Sequence, residues 1–222
     1  IEMAGAVKSA GYDILGIGEM GIGNTTTSAA VLSAVTGAGS DATCGKGGGI
    51  NDKSFVRKKE IVDEVSADWR AKGGLLAVLE EVRDCGESPI DDMIDILASM
   101  GGFDICAMTG AFIGAAANKI PVVIDGYISV VAALAAYVMA PKSVGYMFAS
   151  HKSWEKGYEL AVEALGLKPF LELGMRLGEG SGCPIAFQVI KGACDVMRNM
   201  ATFEEAEIND DYLDEIRKGD CF

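Results

Sequence analysis

The stretch Gly16-Ile17-Gly18-Glu19-Met20-Gly21-Ile22-Gly23-Asn24-Thr25-Thr26-Thr27 constrains this chain more than any other. It follows the apolar run Tyr12-Asp13-Ile14-Leu15, short enough for a buried strand. It precedes Ser28–Val35, an Ala/Val/Leu segment of helical character. A glycine-rich turn from strand to helix lets backbone N–H groups converge, and the helix start adds the positive end of a dipole. Both favour an anion, most naturally a phosphate. Thr25, Thr26 and Thr27 can cap the helix or donate hydroxyls to such a ligand.

Gly16-x-Gly18-x-x-Gly21 also matches the dinucleotide-binding fingerprint, with Asp41 about twenty residues further on. That acid should end a second strand. Asp41 lies instead in a second glycine-rich loop, Gly37 to Gly49, which cannot be a packed strand. A purely steric turn is the third reading, although Glu19, Asn24 and the threonines exceed what a mere turn needs.

A chain of 222 residues, half of them hydrophobic, can bury a sizeable core, and one α/β domain over residues 1–222 is the natural expectation. The expected architecture is an open, mostly parallel, Rossmann-like sheet flanked by Ala/Val/Leu-rich helices. A net charge of −13 weighs against nucleic acid and anionic membrane surfaces, but not against a phosphorylated small molecule held by local geometry. Cysteines at 44, 85, 106, 183, 194 and 221 form no CxxC pair, and there is one histidine, so no metal site is expected. Scattered thiols fit a reducing, cytoplasmic setting better than a disulfide framework. Ile120 to Ala140 approaches the length of a membrane span, but Asp125-Gly126 interrupts it, so it reads as a buried strand and an Ala-rich helix.

Along the chain, Ile1 to Ala10 reads as a helix with Met3, Ala6, Val7 and Ala10 as its apolar stripe. Asn51-Asp52 caps a helix in which Phe55, Lys58, Val62, Val65 and Trp69 share a face. Lys58 either snorkels outward or holds its ammonium at the mouth of a pocket beside the glycine-rich loop. Ser66 to Ser88 reads as an amphipathic helical extension broken at Gly73-Gly74, with Leu75, Leu76, Leu79 and Val82 inward and Glu80, Glu81, Arg83 and Asp84 in water. Pro89 with Asp91-Asp92 opens the next helix, which ends near Met100-Gly101-Gly102. Phe103 to Met108 then predicts a strand and Ala111 to Ala117 a short helix. Ile120 to Ile124 is the clearest strand, and Asp125 at its carboxyl end either faces a ligand or caps the helix near Ser129. Val144 to Ala149 predicts a further strand, with Ser150-His151-Lys152-Ser153 at its end and a helix from Trp154 to Leu165. His151 is read as structural or as taking a direct role in the site.

The last motif, Arg176 to Pro184, sets Glu179 alone between glycines, with Pro184 as a first helical residue. The helix beyond carries Ala186, Val189, Ile190, Ala193, Met197 and Met200 on one face, and 200–222 is read as a helical flank. Glu179 either complements the helix dipole or, held away from bulk water, has a pKa raised enough for a general base.

In order, GEMGIGNTT, Gly45 to Lys58, Ile120 to Ile128, Ser150-His151-Lys152-Ser153, Arg176 to Gly182 and Met200-Ala201-Thr202-Phe203 closely resemble the nicotinate-nucleotide:dimethylbenzimidazole phosphoribosyltransferases of cobalamin biosynthesis. The resemblance implies transfer of phosphoribose from nicotinate mononucleotide to an aromatic base, in a homodimer that needs no cofactor. It implies Glu179 as the base toward the incoming nitrogen. Glu19, Gly21, Gly23, Asn24, Thr25, Gly47, Gly48, Gly49, Lys58, Asp125, Gly126 and Ser153 would hold the nucleotide, with Leu177 and Gly178 against the aromatic base. Cys183-Pro184 and Ile50-Asn51-Asp52 depart from the family pattern without removing any of these groups. Family members carry a substantial segment before the position of Ile1, so the chain is expected to be the C-terminal part of a longer protein. A non-catalytic nucleotide-binding module and a NAD-dependent dehydrogenase are the other readings.

Overall fold

The computed structural model describes residues 1–83 and 86–207. Three short strands, β1 (Leu15–Ile17), β2 (Val122–Ile124) and β3 (Met147–Ala149), form an open parallel sheet in that order. The register pairs Leu15 with Val122 and Val122 with Met147, and Ile17 with Ile124 and Ile124 with Ala149, so all three strands end level. The helices are α1 (Glu2–Ser9), α2 (Asn24–Thr36), α3 (Ser40–Thr43), α4 (Asp52–Val65), α5 (Ala67–Ala71) and α6 (Leu75–Arg83), then α7 (Ile90–Met100), α8 (Phe103–Ala117), α9 (Tyr127–Met139), α10 (Tyr158–Ala164) and α11 (Gly182–Asn199). The chain is thus a mostly helical α/β protein. It divides into two units, Ile1–Ala186 and Phe187–Phe222.

In the first unit, β2 and α9 form the centre. Val122, Val123 and Ile124 are fully buried, and α9 is buried on almost every side, including Val130, Val131, Leu134 and Val138. Each such side chain removed from water contributes about 1.5–3 kcal/mol before the entropy of ordering it. The apolar run from Ile120 is therefore a buried strand and helix, as its Asp-Gly interruption predicts. No helix among the described residues is long and apolar enough to cross a membrane.

Local signals hold in several places. Asn51 caps α4, its side-chain oxygen accepting from the Ser54 amide at 2.9 Å. The break at Gly73-Gly74 separates α5 from α6, and Leu75 and Leu79 are buried as expected. Asp84 and Cys85 of that extension lie outside the described residues, as do residues 208–222 of the expected C-terminal flank, while Phe203 to Glu207 form turns.

Other expectations are corrected. Phe103 to Met108 is not a strand: one helix runs from Phe103 to Ala117. The core face, Ile105, Met108, Phe112 and Ala115, keeps a helical spacing, but apolar residues on the other sides, such as the exposed Phe103, hide it in the sequence. Only Met147–Ala149 of the expected strand Val144 to Ala149 is extended, since Pro141 starts a 3-10 turn through Tyr146. The helix expected from Trp154 begins at Tyr158. In α1 the buried residue is Ala4, with Val7 packed against the core, whereas Met3, Ala6 and Ala10 are exposed. Thr25, Thr26 and Thr27 do not cap α2, whose cap is Gly23 in the left-handed region at φ 84°. The threonines instead occupy its first turn.

In the second unit, α11 continues to Asn199, with Lys191 and Asp195 paired at 2.5 Å one turn apart. The expected apolar face is not covered there: Val189, Met197 and Met200 are exposed. Thr202 and Glu205 cap one another reciprocally, at 2.9 and 3.1 Å.

Candidate active site

Level strand ends place three turns side by side. Gly18 to Gly23 follows β1, Asp125-Gly126 follows β2, and Ser150 to Ser153 follows β3. The carboxyl edge of a parallel sheet is where open α/β folds bind ligands. A cavity of about 240 Å³ lies there. Its wall includes Glu19, Gly21, Asn24 and Thr25 from the first turn, Gly47 and Gly48 from the second glycine-rich loop, Asp125 and Gly126 after β2, Ser153 after β3, and Leu177 and Gly178. Residues scattered over most of the sequence are thereby gathered at one place.

Asn24 organises the first turn. Its side-chain nitrogen donates to Glu19 Oε2 in a short hydrogen bond and to Asp104 Oδ2 at 3.0 Å. Burial raises the Glu19 pKa above its ordinary 4.5, the Asn24 donor opposes this, and the charges of Asp104, Asp125 and Glu179 push the same way as burial. Sequence reasoning does not foresee Asp104 in this network, because it reads the surrounding segment as a strand.

Lys58 is buried and does not snorkel. Its ammonium donates to Thr25 Oγ1 at 3.0 Å and to the Gly45 carbonyl at 2.8 Å, tying α4 to the start of α2 and to the loop. Burial lowers its pKa from 10.5, and nearby Glu155 partly counters the shift. Lys58 does not line the cavity wall, and neither do Gly23 and Gly49. Asp41, the acid of the dinucleotide fingerprint, is exposed on α3 and paired with Lys59 at 2.5 Å, so it ends no strand beside the glycine turn. The dehydrogenase reading loses the feature that distinguished it.

Asp125 is 2% exposed, and its carboxylate does not cap α9. Oδ2 accepts the Gly180 amide at 3.0 Å and Oδ1 the Gly182 amide at 2.8 Å. Its main chain is equally fixed, the amide donating to Ile17 O at 3.2 Å and the carbonyl accepting from Ser150 Oγ at 3.0 Å. His151 is buried in the cavity wall, with Nδ1 3.1 Å from Ser150 Oγ and 4.0 Å from Asp125 Oδ1. Burial lowers its pKa from 6.5, against the pull of Asp125.

Glu179 sits in the left-handed region at φ 56°, and its amide donates to the Glu19 carbonyl at 3.1 Å. The side chain is exposed and does not line the cavity, which corrects the expectation of a carboxylate held away from bulk water. The turn that carries it lies at the rim, and the close approach is made by backbone. A Cβ on Gly18 would stand 2.3 Å from the Gly180 nitrogen, and one on Gly182 would stand 2.3 Å from His151 Nδ1. Gly18 and Gly182, rather than the Gly178 and Gly180 that flank Glu179, leave room for this contact between turns.

Sequence reasoning gives no role to Tyr127, Ser129, Glu155 or Arg176, which also line the cavity. Tyr127 donates to the Thr43 carbonyl at 2.8 Å, and Ser129 Oγ to Ile17 O at 2.6 Å. Glu155 carries a buried oxygen, Oε2, without a hydrogen-bond partner. Only its place two residues after Ser153 could have pointed to it. Among the described residues, no group of three or more His, Cys, Asp or Glu side chains is arranged to hold a metal ion.

A family model described as "Phosphoribosyltransferase" matches residues 1–208. The nicotinate-nucleotide–dimethylbenzimidazole phosphoribosyltransferase of Clostridium perfringens is 53% identical over 222 residues, the whole of this chain and 57% of that relative. Its counterpart in Clostridium tetani is 43% identical over 98% of this chain and 56% of its own length. Among solved structures, CobT from Thermus thermophilus superposes with a TM-score of 0.81 at 32% identity, over 94% of this chain and 57% of that one. The chain therefore spans a little over half the length of the relatives it matches, and across that span it belongs to the phosphoribosyltransferase family that includes the nicotinate-nucleotide–dimethylbenzimidazole enzymes.

Proposed function

We propose that this chain carries the nucleotide-binding and base-activating part of an enzyme that transfers phosphoribose from nicotinate mononucleotide to 5,6-dimethylbenzimidazole or a related flat heterocycle. The product is an α-ribotide for the lower ligand of cobalamin. The observation that carries the reading is the meeting of two glycine-rich turns and two carboxylate-bearing residues, Glu19 and Glu179, at the carboxyl edge of the sheet.

The pyridinium nitrogen of the donor is already a good leaving group, so no strong acid is required. The C1′–N bond to nicotinate breaks, and the bond from C1′ to the incoming ring nitrogen forms on the opposite face, inverting the anomeric centre. The N–H proton of the incoming ring passes to the Glu179 carboxylate and from there to water. Main-chain amides of Gly47, Gly48 and Gly49, with Lys58 behind them and Ser153 beside them, hold the 5′-phosphate. Gly21, Gly23, Asn24 and Thr25 shape the other side of that cradle. Glu19 faces the ribose, where negative charge stabilises the oxocarbenium-like transition state. Gly126 forms the floor, and Leu177 and Gly178 take the face of the aromatic base. Orientation for in-line attack supplies much of the remaining acceleration. The working form we infer is a cytoplasmic homodimer.

The second reading, a nucleotide-binding module without catalysis, is favoured by the exposure of Glu179. Incubation with nicotinate mononucleotide and 5,6-dimethylbenzimidazole, followed by chromatography for nicotinate, separates the two. Turnover by the chain, its loss in Glu179→Gln, and retained nucleotide binding support the enzyme. Nucleotide binding without nicotinate release supports the module, and equal rates in the variant remove Glu179 from the mechanism.

A further inference from the structure

The resemblance gives Asp125 to the nucleotide, yet both of its carboxylate oxygens accept main-chain N–H groups from the turn that carries Glu179. We propose that Asp125 is a positioning residue, a buried clamp that folds the 178–182 turn and so decides where Glu179 stands. The inference rests on the phosphoribosyltransferase reading for its kinetic consequence, but not for its structural one.

The geometry leaves the turn few alternatives. Glu179 occupies a left-handed conformation uncommon for a residue with a Cβ, followed by Gly180 at φ 76°. Such a backbone persists only when its surroundings over-determine it. On one side the Glu179 amide is tied to Glu19 O at 3.1 Å. On the other, the next amide and the one two further on are tied to the two oxygens of Asp125. A carboxylate offers an acceptor on each oxygen, and charge-assisted bonds of this kind are about twice as strong as neutral ones. Asp125 is itself immobilised through its amide on Ile17 O and its carbonyl on Ser150 Oγ. The position of an exposed side chain is thereby transmitted from the sheet through a buried one.

Asp125→Asn keeps the shape of the side chain but turns an NH2 toward one of the two amides, where donor faces donor. Amide hydrogen exchange on the full chain reads the result directly. In the unmodified chain, Gly180 and Gly182 exchange more slowly than Gly178. In Asp125→Asn at least one of the two accelerates by roughly tenfold or more, the range expected for loss of a buried hydrogen-bond partner, while the amides of α9 stay protected. Nicotinate release falls by about 100-fold in kcat, as for a misplacement of about 1 Å, with the KM for nicotinate mononucleotide changed less than about threefold. Gly182→Ala provides a second variant, because its added Cβ would press on His151 Nδ1 and Ser150 Oγ as well as stand 2.9 Å from Asp125 Oδ1, displacing the Gly182 amide with the carboxylate retained. It should show the same split between kcat and KM.

Rapid exchange at Gly180 and Gly182 in the unmodified chain overturns the clamp. So does a variant that loses protection equally throughout the β2–α9 region, or one whose kcat is unchanged. A chain that releases no nicotinate defeats the functional reading instead, and the exchange comparison still decides the clamp.

Discussion

The amide of Glu179 donates to the carbonyl of Glu19 at 3.1 Å, so the two carboxylates assigned to the chemistry hang from backbones that are hydrogen-bonded to each other. Burial, with the charges of Asp104, Asp125 and Glu179 adding to it, holds the Glu19 proton more tightly than in an exposed glutamate.

Glu19 predicts a pH dependence of stability. The folded chain binds this proton more tightly than the unfolded one, so the contribution is full below pH 4.5 and is lost as pH rises through the folded value. Glu19→Gln removes that loss. Thermal melts between about pH 4 and pH 8 should show the variant gaining Tm relative to the parent as pH rises. An equal difference at both ends contradicts the assignment.

Lys58→Met deletes an ammonium that joins Thr25 to the Gly45 carbonyl. Nicotinate mononucleotide should bind at least tenfold more weakly by calorimetry, since a hydrogen bond to a charged group contributes about 1.5–3 kcal/mol. Lys58→Arg should not restore affinity, because a planar fork does not fit a buried site shaped for a compact ammonium. Unchanged binding in Lys58→Met would separate the lysine from the phosphate.

His151, the only histidine in the chain, gives an isolated ring signal for NMR titration. Burial should place its midpoint below 6.5 despite the nearby Asp125. Its contribution to stability is full above pH 6.5 and is lost as pH falls through the folded value. A midpoint above 6.5 would mean that Asp125 outweighs burial.

The cysteines should sort by burial. Iodoacetamide at mildly alkaline pH should modify Cys194, which is exposed, and spare Cys44 and Cys183. Burial pushes the Cys44 thiol up and the Cys183 thiol up to about 12. Peptide mapping separates these from Cys85 and Cys221, which lie outside the described residues.

Much of this arrangement is legible in local sequence, and the reasons it stops being so are physical. Ile120 to Ile124 announces a buried strand because β-branched residues after a lysine and before Asp-Gly have few other uses. The period of α4 puts Lys58 on one face with Phe55 and Val62, but the choice between snorkelling and burial is settled only by the partners the fold supplies. Phe103 to Met108 misleads because α8 is apolar on nearly all sides, which erases the period that distinguishes helix from strand. The pairing of Asn24 with Asp104, and of Asp125 with two glycine amides, leaves no local trace. Such contacts depend on which distant segments the sheet brings together. The exposure of Glu179 is illegible for the same reason.

The level three-stranded sheet also sets an order of assembly during synthesis. Leu15 finds its partner only after Val122 has been made, and Asp125 is satisfied only once Gly182 has emerged. Pairings this distant along the chain form slowly and leave apolar segments unprotected meanwhile. A ribosome-bound chain halted before Gly180 would hold both glycine-rich turns yet lack the strap that closes them, and it would be a natural client for a chaperone.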